Sequence, residues 1–103
     1  MEDDLVDDAA LADVVERLTV PLRMGDGLDE TALAELSTLL TGLADSWRGR
    51  ADVPKRAAAL LTELYPALVG TAGLYSDDEA HRTEGAAEHL LDLTLTCLGS
   101  DAD

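Results

Sequence analysis

Apolar positions along the chain recur every three or four residues in four separate stretches, the spacing of helices that bury one face. Leu11, Val14, Val15, Leu18 and Leu22 form the first stripe, which predicts a helix from about Asp8 to Met24. Pro21 lies in its last turn and should kink or end it, and "GDG" at 25–27 supplies a turn. Asp29 suits the N-cap of a second helix, with Leu28 and Leu33 placed as a hydrophobic staple around it. The second stripe is Leu33, Leu36, Leu39, Leu40, Leu43 and Trp47, and Gly49 is a natural stop.

A third helix should start near Asp52, with Pro54 in its first turn, where a missing N–H costs little. Its core face is Ala57, Leu60, Leu61, Leu64 and Leu68, and Pro66 in its interior should kink it. Ser76 and Glu79 in "SDDE" form a capping box for a fourth helix that reaches about Leu98 and stops at Gly99. The stretch "LTLTCL" (93–98) alternates like a strand, but a lone strand would have no partner, so it reads as helix. Short connections favour antiparallel neighbours. The expected fold is therefore all-α: one domain over residues 1–103, an up-down-up-down four-helix bundle with short, acidic, frayed termini.

Composition agrees. The chain holds 20 Leu and 16 Ala, no Ile and no Phe, and its only β-branched apolar residues are six Val. This Ala/Leu/Arg/Asp-rich, Lys-poor usage resembles that of high-GC bacterial genomes. A single cysteine, Cys97, allows no intrachain disulfide and fits a reducing cytoplasm, the expected location. The opening "MEDDLVDDAA" is acidic where a secretory signal would be basic, and the longest uncharged run, 64–76, is too short for a membrane span.

Charge changes the picture more. The formal net charge is −15, which disfavours nucleic acid and anionic membranes as partners. Yet Arg48, Arg50, Lys55 and Arg56, four of the seven Lys and Arg residues, crowd into "SWRGRADVPKR" (46–56). Arg48 and Arg50 suit the C-terminal dipole of the second helix. Lys55 and Arg56 sit in the first turn of the third, where cations are unfavourable. Either the acidic chain ends "EDDLVDD" (2–8) and "SDAD" (100–103) converge on them, or this turn is a site for an anion or an acidic partner.

The fourth helix is apolar over more than half its circumference, through Leu90, Leu91, Leu93, Leu95, Cys97 and Leu98. A surface helix of a monomer needs a narrower stripe. Either this helix is central, or Leu93 and Leu95 meet a second copy of the chain in a homodimer.

Signals of catalysis are weak. His81, Glu84, Glu88 and Asp92 share one side of the fourth helix, but in a chain with 22 acidic residues a solvated polar face explains them better than a metal site. Cys97 reads as a small buried hydrophobe, since the helix C-terminus and nearby aspartates oppose a thiolate. "MGDGLD" has neither the spacing nor the Lys of a phosphate-binding loop. No cofactor is implied.

Two short motifs carry a family resemblance. "WRG" (Trp47, Arg48, Gly49) lies between two helices, and "YSDDE" (Tyr75 to Glu79) follows. Together with the chain length they resemble the WxG turn and YxxxD/E signal of the WXG100 proteins, helical-hairpin substrates of type VII secretion. The chain departs from that family at "GDG", at Pro54 and Pro66, and in the long helix after Tyr75. The leading expectation is a non-catalytic bundle that binds another protein, as a regulator, accessory subunit or immunity-type inhibitor. The alternatives are a WXG100-like secretion substrate, an acidic nucleic-acid mimic, and a metal-dependent or other enzyme.

Overall fold

The computed structural model describes residues 2–99, with side chains from Ala9 onward. Four helices are present: α1 (Glu2–Arg23), α2 (Glu30–Trp47), α3 (Lys55–Val69) and α4 (Asp77–Cys97), with one 3₁₀ turn at Ala72–Leu74. No strand occurs among the described residues, and "LTLTCL" is helical.

The local signals act as the sequence implies. Asp29 caps α2 by accepting a hydrogen bond from the Ala32 N–H at 3.0 Å. Ser76 accepts one from the Glu79 N–H at 3.4 Å at the start of α4. Gly25, Gly49 and Gly99 follow α1, α2 and α4 with φ of 81°, 81° and 82°, a region that L-residues avoid. Leu28 and Leu33, on either side of the Asp29 cap, are partly buried against the core.

Some boundaries shift. α1 begins at Glu2 rather than near Asp8, and it runs through Pro21 to Arg23. The Pro21 carbonyl then accepts from the Asp26 N–H at 2.8 Å, which closes the turn. Pro54 is the N-cap of α3 rather than a first-turn residue, and α3 is kinked at Pro66.

The four helices form an antiparallel up-down-up-down bundle, but with a specific arrangement. α1 packs on α2 and α3, and α4 packs on the same two, so α2 and α3 occupy opposite corners. Arg82 on α4 meets Glu30 on α2, and Cys97 further along α4 meets Leu40. The positions advance together, so α2 and α4 run parallel. The connection at 48–54 therefore crosses the end of the bundle diagonally, a span of roughly 14 Å for helices about 10 Å apart. It bridges that end instead of turning tightly beside it.

The core is mainly leucine: Leu11, Leu18 and Leu22 of α1, Leu36, Leu40 and Leu43 of α2, Leu61, Leu64 and Leu68 of α3, and Leu90 of α4. Trp47 is buried among them, as its place in the stripe implies. The segment Lys55–Leu74 is long and apolar enough to cross a membrane by length and composition, with a mean hydropathy of 1.3. Its Ala57, Leu61, Leu64 and Leu68 supply the core face of α3.

α4 differs from expectation. Its buried positions are Thr83, Ala86, Ala87, Leu90, Thr94 and Cys97, mostly small side chains. Small residues let α4 sit close to its neighbours, and leucines that the pattern assigns to the core lie on its flanks. Thr94 is only 4 % exposed, and its hydroxyl has no hydrogen-bond partner among the described residues. A buried hydroxyl without a partner costs free energy that an apolar group of the same shape avoids. Thr94→Val should therefore stabilise the fold by about 1 kcal/mol, read as a higher urea midpoint at unchanged slope. An equal loss of stability would contradict this reading.

Candidate functional site

The crossing connection creates a cavity of about 650 Å³ at one end of the bundle. Trp47, Val53, Cys97 and Leu98 give it apolar walls, and Arg48 and Arg50 line it as well. Two of the four clustered cations therefore face a real concavity. Their charges are already engaged: Arg48 pairs with Asp45 at 3.1 Å and Arg50 with Asp52 at 3.9 Å. Lys55 and Arg56 follow in the first turn of α3, both exposed, and neither makes an ion pair with a described residue. The expected neutralisation by the chain ends involves the side chains of residues 2–8 and 100–103, which lie outside the described residues.

Leu93 and Leu95 do not share a face. They project about 160° apart around α4. Leu93 packs against the core, whereas Leu95 is 39 % exposed. Leu91, Leu95 and Leu98 follow one another at helical spacing on a single flank, with Leu98 36 % exposed. The surface that α4 offers to a second copy is thus one narrow stripe, not the broad face that the sequence implies.

Cys97 is buried, and its thiol donates to the Leu40 carbonyl at 3.1 Å. Burial pushes its pKa up to about 11, so at neutral pH it is a protonated packing group and not a nucleophile. On the polar side of α4, His81 lies 3.6 Å from Glu84. Among the described residues no group of three His, Cys, Asp or Glu side chains could hold a metal ion.

The opposite layer carries a feature that the sequence reading missed. Between α1 and α2 runs an open groove of about 470 Å³, lined by Ala10, Val14, Ala34, Glu35, Thr38 and Leu39. Apart from Glu35 and the Thr38 hydroxyl its walls are hydrocarbon. Arg17 ties the two helices together beside it. Its guanidinium donates two hydrogen bonds to the Glu35 carboxylate, at 2.8 and 3.0 Å, and one to Asp13 at 3.0 Å. The Arg17 hydrogen bonds hold the Glu35 carboxyl below the usual carboxylate range, so it stays ionised through mildly acidic conditions.

No known protein-family model matches this chain, and no curated protein or solved structure shows significant similarity to it. The WXG100 resemblance consequently rests on its two motifs alone. Trp47 is the last residue of α2, with its ring in the core, and four helices stand where that family has a two-helix hairpin.

Charge is distributed unevenly over this frame. The α1 and α2 segments hold ten carboxylates and two arginines, five of those carboxylates on residues 2–8, whose side chains lie outside the described residues, and α4 holds six carboxylates and one arginine, a formal −5. Residues 48–56 carry four cations and one aspartate, a formal +3. The local compositional signal was present in the sequence. Its meaning depended on the cations lying across one end of the bundle.

Proposed function

We propose that this chain is a non-catalytic helical bundle that works by binding another protein, as a regulator, accessory subunit or immunity-type inhibitor, and that its partner is basic. The observation that carries this reading is charge: the chain is −15 overall, whereas residues 48–56, across one end of the bundle, carry +3. Such a field raises the encounter rate with a cationic surface and orients it, because the partner is drawn to the acidic body of the bundle and repelled from one end. The apolar groove between α1 and α2 offers the desolvated contact that long-range attraction alone lacks. A nucleic-acid mimic would need a continuous row of free carboxylates; here Arg17 takes up Asp13 and Glu35 between α1 and α2.

The test is affinity capture from an extract of the native host on the immobilised chain, followed by elution with rising salt. The expected result is one stoichiometric basic protein, held at about 0.05 M salt and released as screening shortens the reach of charge toward about 3 Å near 1 M. Retention of nothing, or of a partner whose binding ignores salt, would contradict it.

A further inference from the structure

We infer that the outward face of α3 is a self-association surface, on which two copies of this chain meet antiparallel with Arg56 of each opposite Glu63 of the other. This contact is separate from the binding of a different protein. Three observations carry it. First, Lys55–Leu74 is apolar enough in composition to cross a membrane, yet only 28 % of its most apolar window is buried inside the bundle. Arg56, Ala59, Thr62, Glu63 and Pro66 are all exposed, and they fall within an arc of roughly 120° around α3 with Ala59 at its centre. A small side chain at that centre lets a second helix come within about 8–10 Å. Second, this face carries little charge, and of both signs. α3 holds two cations and one carboxylate, whereas α2 holds three carboxylates and no cation, and α4 six carboxylates and one arginine. Chains of −15 repel one another through acidic faces, so a face close to neutral is where two copies can approach. Third, Arg56 and Glu63 are seven residues apart, which sets them about 20° apart around the helix and roughly 10 Å apart along it. That is too far for a pair within one chain, and neither forms an ion pair with a described residue. A two-fold axis beside the midpoint, between Ala59 and Leu60, reverses the second helix. It brings that helix's Glu63 level with Arg56 of the first and its Arg56 level with Glu63, both on the same side of the contact. A parallel arrangement would set Arg56 against Arg56 instead. The kink at Pro66 leaves the half of α3 that holds this pair as its straight part.

The experiment is sedimentation equilibrium of the full chain at about 0.15 M salt, where charge reaches only about 8 Å. The parent should give a dimer mass at high micromolar concentration. Arg56→Glu and Glu63→Arg each set like charges opposite one another at both ends of the contact, and each should weaken dimerisation about tenfold or more. An equimolar mixture of the two variants should recover the dimer to within about threefold of the parent, because each supplies the charge that the other lacks. So should a chain that carries both substitutions. Both positions are exposed, and a carboxylate in the first turn of α3 suits the helix dipole, so the variants should fold. Circular dichroism equal to the parent's checks this.

A monomeric parent would overturn the inference, and parent monomers that bind zwitterionic lipid vesicles would assign the face to a membrane instead. Dimers that neither single substitution weakens would place the contact elsewhere, such as on the Leu91, Leu95 and Leu98 stripe, and overturn it too. Weakened single variants whose mixture stays monomeric would exclude the antiparallel register, and the inference with it. None of these outcomes bears on whether a basic host protein is captured and released by salt, so the broader reading stands or falls separately.

Discussion

Leu90→Ala should cost about 3–5 kcal/mol, the upper range for a fully buried leucine, and leave the chain largely unfolded in mild denaturant. The size follows from what surrounds Leu90. It is the one large side chain of α4 that is completely buried; the other buried positions of that helix are Thr83, Ala86, Ala87, Thr94 and Cys97. Truncation would leave α4 held by small groups that cannot collapse into the cavity. α4 packs on both α2 and α3, so its loosening exposes the core from two sides. Against a total stability of roughly 5–15 kcal/mol for a domain of this kind, the loss is a large fraction. The comparison is Leu95→Ala on the same helix, which should cost below about 1 kcal/mol because Leu95 is 39 % exposed. Urea titrations of the two variants check it, and similar costs would mean that the face assignment of α4 is wrong.

Tyr75→Phe should cost about 1–2 kcal/mol, a large effect for removal of one oxygen. The Tyr75 hydroxyl donates to the Leu22 carbonyl at 2.7 Å and accepts from the Gly27 N–H at 3.0 Å. It thereby joins the turn that follows α1 to the turn that precedes α4, residues about 50 apart in sequence. Gly27 has φ of 99°, so the turn it belongs to is held in a conformation that only glycine adopts without strain. Phenylalanine keeps the ring but leaves a carbonyl and an N–H without that partner. Tyr75 is half-buried, so water reaches part of the gap and the cost stays moderate. Amide exchange at Gly27 should accelerate while exchange in the middle of α2 changes little. Unchanged stability with unchanged Gly27 protection would show that the Tyr75 hydroxyl does not hold the two turns together.

The residues that encode ends were legible without a structure. Asp29, Ser76 and the glycines at 25, 49 and 99 act through bonds and dihedrals within a few residues, which is the range over which sequence pattern is informative. The leucine stripes of α1, α2 and α3 were legible for the same reason, since one face of each is buried throughout. α4 was misread because its sequence has more leucine than its core face uses. Periodicity weighs Leu93, Leu95 and Leu98 heavily and gives no weight to Thr83, Ala86, Ala87 or Thr94, whose burial depends on how closely α2 and α3 approach. The diagonal placement of α2 and α3 is a property of the whole bundle, and no short motif reports it. The same holds for the groove: Ala10, Ala34 and Thr38 look like ordinary surface positions until α1 and α2 are set side by side. "WRG" illustrates the opposite error. A short motif points to a family, while its tryptophan is accounted for by packing at the end of α2.

Arg48 and Arg50 have acidic neighbours at the end of α2 and in the connection, and line the cavity under it. Lys55 and Arg56 remain at an unfavourable helix N-terminus, where α3 has no acidic residue in its first turn and no side-chain cap. In the proposed mode of action they mark the end from which a basic partner is turned away.

Where a partner touches the bundle separates the α1/α2 groove from the other surfaces. Amide shift mapping of the isotope-labelled chain, titrated with its captured partner, measures this residue by residue. The largest perturbations are expected on Ala10, Val14, Ala34, Thr38 and Leu39, with α3 and the 48–56 segment nearly silent. Perturbations centred on Leu91, Leu95 and Leu98 or on Arg48 and Arg50, with the α1/α2 groove silent, would contradict it.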